Sequence, residues 1–71
     1  MDSVTVRGTV FQKFFDYANQ GRFTLTGLFG QVRGGGAVCA EAKNERGEIY
    51  WVTSDLQPPP GPIVDQWREA M

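Results

Sequence analysis

The stretch TVFQKFFDYANQG, residues 9–21, decides the fold, because two periodicities compete for it. Thr9, with Gln12 three residues on, has the form of a helix capping box. Val10, Phe11, Phe14, Phe15 and Ala18 then recur at helical spacing. Gln12, Lys13, Asp16, Asn19 and Gln20 fill the opposite face, and Gly21 stands where a C-terminal cap glycine belongs. This spacing predicts an amphipathic helix over residues 10–20. The competing reading is a strand running into a turn at ANQG, which would send Phe14 and Phe15 to opposite faces. The helix keeps them together and is preferred on that ground.

The flanks of this stretch read as strands. Before it, Val4 and Val6 alternate with Thr5 and Arg7. After it, in RFTLTG, Phe23 and Leu25 alternate with Thr24 and Thr26. Then comes GLFGQVRGGG, residues 27–36, with five glycines in ten positions. It lacks the Lys-Ser or Lys-Thr of a phosphate loop and the Gly-x-Gly-x-x-Gly of a dinucleotide site, so it is read as a flexible connection between strands.

AVCAEAKNERGEIYWVTS, residues 37–54, has the form of a hairpin with its turn at NERG. A four-residue connection over 44–47 pairs Lys43 with Glu48, Ala42 with Ile49 and Ala40 with Trp51. That register places Val38, Ala40, Ala42, Ile49 and Trp51 on the core face. Cys39, Glu41, Lys43, Glu48, Tyr50 and Val52 make a mixed outer face. QPPPGP, residues 57–62, is a stiff connector. Pro62 then suits the first position of a C-terminal helix bearing Ile63, Val64 and Trp67, with Asp65 near its positive end.

The predicted architecture is one α+β domain over residues 1–71. A mainly antiparallel sheet of about four strands, in β-α-β-β-β-α order, packs against an N-terminal and a short C-terminal helix. This order is similar to that of double-stranded-RNA-binding domains. The basic helix start of those domains would fall on Gly61 and Pro62, which carry no lysine, so no membership is read.

Composition narrows the function. There are 71 residues, one cysteine, no histidine and a net charge of −1. A disulfide framework is excluded, a Cys/His metal cluster has too few ligands, and no cofactor is implied. The near-neutral charge argues against a general phosphate-binding surface. The start MDSVTVRG has no basic region followed by an apolar run, and no segment approaches the roughly 20 apolar residues of a membrane span. A complete, soluble, cytoplasmic gene product is expected, with no membrane partner. Cys39 has no histidine to act as its base, and the carboxylates are dispersed, so no catalytic residues are assigned.

The expected function is therefore a non-enzymatic protein-binding module. Proteins of this size include regulators and inhibitors of the kind carried by phages and mobile elements. The candidate partner-binding residues are Phe29, Arg33 and Gly35 in the glycine-rich connection, Arg46 in the hairpin turn, and Tyr50 beyond it. The alternative is a nucleic-acid-binding module using Arg7, Arg33, Lys43 and Tyr50. The short chain and the mixed sheet face also predict a homodimer.

Overall fold

The structure, a computed structural model, describes residues 3–17 and 21–70. All of its regular elements are strands: β1 (Ser3–Val6), β2 (Thr9–Gln12), β3 (Phe14–Tyr17), β4 (Gly21–Val32), β5 (Val38–Asn44), β6 (Ile49–Thr53) and β7 (Ile63–Arg68). The α+β expectation is overturned at both proposed helices. Residues 9–17 form two strands separated by a bend at Lys13, and residues 63–68 form a third. The remainder of the proposed N-terminal helix, residues 18–20, lies outside the described residues.

The physical reason is composition. Thr9, Val10, Phe11, Phe14, Phe15 and Tyr17 are β-branched or aromatic, as are Ile63, Val64 and Trp67. Such side chains lose rotamer freedom in a helix and pack well on a pleated surface. A helix of about ten residues also has little stability of its own. Alternating faces win over a shared one: Phe11 is fully buried, while Phe14, across the bend, is 56% exposed.

β1 and β2 form a two-stranded hairpin with Val6 opposite Thr9. The two turn residues, Arg7 (φ 49) and Gly8 (φ 81), both have positive φ, as the tight hairpin turn of matching twist requires. The other strands make a five-stranded antiparallel sheet. Its path is β3-β4-β5-β6, and β7 joins the same flank of β4 as β3. β3 pairs with the first half of β4, over residues 21–24, and β7 with the second half, over residues 28–32.

Between these halves the β4–β5 register shifts, from Leu25 opposite Ala42 to Phe29 opposite Ala40. Thr26, Gly27 and Leu28 thus face Glu41 alone, a bulge that bends the strand. The bulge is held by polar contacts. Thr26 Oγ1 donates to Glu41 Oε1 (2.7 Å), Leu28 N to Thr26 Oγ1 (3.4 Å), and Glu69 N to the Gly27 carbonyl (2.9 Å).

The hairpin lies over one face of the sheet. Val6 and Phe11 meet Phe29, Val38 and Ala40, with the Phe11 and Phe29 rings edge to face at 5.4 Å. A second cluster joins Phe23, Ala42 and Val52, flanked by Tyr50 and Leu56, and Leu25 packs against both.

The β5–β6 register also differs from expectation. Ala42 pairs with Tyr50 and Ala40 with Val52, one residue away from the predicted match. The turn contains three residues rather than four. Asn44 N donates to the Glu48 carbonyl, Gly47 N donates to the Asn44 carbonyl, and Gly47 takes a φ of 83°. This is a turn closed by a glycine bulge. Asn44 Oδ1 secures it by accepting from Arg46 N and Glu48 N.

A one-residue slip exchanges the faces of a strand. Tyr50 and Val52 therefore point to the core side, and Ile49 and Trp51 to the opposite face. There Trp51 covers Gly30. A Cβ at Gly30 would lie 2.5 Å from Ile63 Cγ2, 3.0 Å from the Asp65 carbonyl oxygen and 3.2 Å from Trp51 Cη2.

Candidate functional site

The predicted site residues are not brought together. Phe29 is in strand β4 and fully buried, so a docking partner cannot reach its ring in this fold. The glycine-rich connection is accordingly shorter than expected: β4 runs through Val32, and only residues 33–37 link it to β5. Arg33 and Gly35 are exposed in that link. Arg46 is exposed in the β5–β6 turn, at the other end of β5 and about 20 Å away for a strand of this length. Tyr50, half-buried on β6, shares the Arg46 end.

The nucleic-acid set is dispersed as well. Lys43 and Tyr50 occupy adjacent cross-strand pairs and so face opposite sides of the sheet. Arg7 is occupied elsewhere. Its Cζ sits 3.5 Å from the Trp67 ring centroid, and its guanidinium donates to Gln31 Oε1 (2.8 Å) and pairs with Asp65 Oδ2 (3.2 Å). Gln31 Nε2 in turn donates to the Gly36 carbonyl. The first hairpin is thereby latched to β4 and β7, and Arg7 serves a structural role.

Polar, apolar and backbone features converge instead along β6. This strand ends the sheet. In an antiparallel ladder, alternate residues turn both backbone groups toward the neighbouring strand. Thr53 faces away from β5: its N–H donates to the Gln57 carbonyl (2.9 Å), and its carbonyl accepts from Leu56 N (3.0 Å). By the same alternation, the N–H and C=O of Ile49 and Trp51 also face away from β5. Among the described residues, no strand pairs with them there.

Beside this edge lies a cavity of about 480 Å³. Its apolar lining comes from Phe23, Tyr50, Val52, Leu56 and Pro58, with Trp51 and Gln57 completing it. The Phe23 and Tyr50 rings meet edge to face at 5.3 Å. Burial raises the Tyr50 phenol pKa, and the Glu48 carboxylate nearby raises it further.

One wall of the cavity is held under backbone strain. Leu56 has a φ of 63°, a region that bulky residues rarely occupy. The turn over 53–57 enforces it. Thr53 Oγ1 accepts from Asp55 N (3.3 Å) and Gln57 N (3.1 Å), while the Leu56 side chain packs on the Phe23–Val52 cluster.

Sequence reasoning missed Ile49, Leu56 and Pro58. The available signal was Leu56, a large apolar residue inside the polar turn TSDLQ just before the prolines.

Cys39 is fully buried and unpaired, and burial pushes its thiol pKa up, away from the reactive thiolate. Among the described residues there is no cluster of three or more metal-ligating side chains, and no helix long and apolar enough to cross a membrane. Comparison with protein-family models, with curated proteins and with solved structures found no match.

Proposed function

We propose that this chain is a small binding module, of regulator or inhibitor type and without an enzymatic step of its own, whose β6 edge takes up an extended segment of another protein. The observation that carries this reading is the conjunction at β6. Outward-facing backbone groups at Ile49 and Trp51 lie beside a cavity of about 480 Å³ with Phe23, Val52, Leu56 and Pro58 in its walls. Strand addition uses such a pair of features: main-chain hydrogen bonds give affinity, and a pocket for one side chain gives specificity. Strand β6 is uncharged from Ile49 to Thr53, and Ile49 is 57% exposed, so nothing on the strand repels an added neighbour. Cys39, an unpaired buried thiol, suits the reducing cytoplasm as the place where the module works.

The test is selection from a displayed library of short linear peptides, followed by amide chemical-shift mapping of the selected binders. Shifts centred on Ile49–Thr53 and Leu56–Pro58 are expected. Ile49→Pro removes one outward N–H without touching the core, and should abolish binding. Two results overturn the proposal. One is shifts confined to the 33–37 link. The other is a library without binders, together with salt-sensitive binding of single-stranded DNA or RNA homopolymers.

A further inference from the structure

The free part of the β6 edge is short and bounded on both sides. At one end, Gln57 and Leu56 occupy the backbone groups of Thr53. At the other, the chain turns away at Glu48, whose carbonyl is engaged by Asn44 N. Among the described residues, only Ile49 and Trp51 remain, placed symmetrically about Tyr50. An added antiparallel strand must therefore be equally short and must itself turn away at both ends.

From this we infer that a second copy of the chain occupies the edge, with the two β6 strands paired antiparallel about a two-fold axis at Tyr50. The inference rests on the reading of β6 as the docking edge. In this register Ile49 of each copy pairs with Trp51 of the other. Every outward N–H and C=O on the two strands then finds a partner, and none is left over. The interface is isologous, the commonest kind in homo-oligomers.

Charge agrees with self-pairing. Residues 49–53 carry none, and Glu48 falls opposite the uncharged Val52 of the other copy, so no like charges meet. The edge strand β7, by contrast, contains Asp65 and Arg68. The apolar surface agrees too. Ile49, 57% exposed, is brought against the half-buried Trp51 of the second copy, and the reverse, on the face away from the first hairpin. On the other face the two Tyr50 side chains meet beside the two cavities. A 71-residue chain buries a smaller fraction of its surface alone than a larger domain does, and pairing adds to it. A segment from another protein would then bind by displacing the second copy.

Two measurements test this. Sedimentation equilibrium over a concentration series should give a dimer for the wild type. Ile49→Pro should weaken dimerisation by about tenfold or more, because the symmetric interface loses two hydrogen bonds. At concentrations low enough that both are monomers, its thermal unfolding should stay close to that of the wild type. For the register, Tyr50→Cys should form an intermolecular disulfide on mild oxidation, since a central non-hydrogen-bonded pair has the right Cα separation. Thr53→Cys, outside the pairing, should not.

A wild type that stays monomeric at the highest concentration overturns the inference. So does a dimer that survives Ile49→Pro, or one that cross-links through Thr53→Cys and not Tyr50→Cys. Library peptides that still map to β6 on a monomeric chain leave the proposed function standing. A dimer with the expected cross-link, from which no peptide displaces the second copy, upholds the inference and removes that function.

Discussion

On one flank of the five-stranded sheet, β4 is covered along both halves by β3 and β7, and Arg7 reaches across from the first hairpin to lock Gln31, Asp65 and Trp67 together. On the other flank, β6 stops the sheet with five uncharged residues and leaves the backbone of Ile49 and Trp51 facing outward. Edge strands in natural sheets are commonly guarded by charge, proline or a covering element. Here the guard is one-sided. The difference separates what holds the fold from what is offered to a partner.

Substitutions on the two flanks test this contrast. Phe29→Ala removes a fully buried ring from the closed side and should destabilise by about 3–5 kcal/mol. Against a total stability of only about 5–15 kcal/mol for ordinary domains, urea titration should find much of the chain unfolded. A near-neutral result would mean that the Phe29 ring is at the surface and the closed side is wrongly drawn.

Gly30→Ala comes next. The new Cβ would press on Ile63 Cγ2 and on the Asp65 carbonyl oxygen, a backbone atom that cannot swing aside. Overpacking of this kind costs about 1–3 kcal/mol. Amide exchange should show β7 loosened most from β4, with a smaller effect on β6, whose Trp51 Cη2 lies 3.2 Å from the new Cβ.

Arg7→Ala should cost about 1 kcal/mol, because the ion pair is half exposed and the stacking over Trp67 is partly solvated. Arg7→Gly should lose less, since glycine accepts the positive φ at no steric expense. Equal losses in the two variants would show that backbone strain at this turn is negligible.

The smallest effect is on pH. The folded-state pKa of Cys39 and that of Tyr50 are both raised, so folding favours the neutral forms. Their stabilisation is fully present below the ordinary values and declines as pH rises, first past 9.0 for the thiol and then past 10.0 for the phenol. Urea midpoints measured up that range should fall, and Cys39→Ala should remove the earlier part of the fall.

Part of this molecule was legible in its sequence. Alternation at Val4 and Val6 marked β1, Ala40 and Ala42 marked the buried side of β5, and the NERG turn with Gly47 located the β5–β6 hairpin. Over residues 10–17 the spacing does not distinguish a helix from strands, because apolar residues spaced for one helical face also satisfy two short strands broken by a bend. Only the burial of Phe11 against Phe29, eighteen positions on, decides between them.

The hairpin register failed by one residue. Asn44 belongs to the strand rather than the turn, a choice made by its side chain accepting two amides. Tyr50 stands out in the sequence as an aromatic residue beyond the turn, but its setting does not. The cavity depends on Phe23, Leu56 and Pro58 being carried to it by separate elements, and no local pattern records that convergence.

The Arg7 latch has a consequence in time. Its ion pair joins residues 58 positions apart, whereas β4, β5 and β6 form a meander of neighbouring strands. Contacts that close long loops repay their entropy late, after local pairings have formed. The latch should therefore be absent from the rate-limiting step of folding. Its removal would leave the refolding rate nearly unchanged and speed unfolding alone, so Arg7 governs how long the closed structure lasts rather than how quickly it is reached.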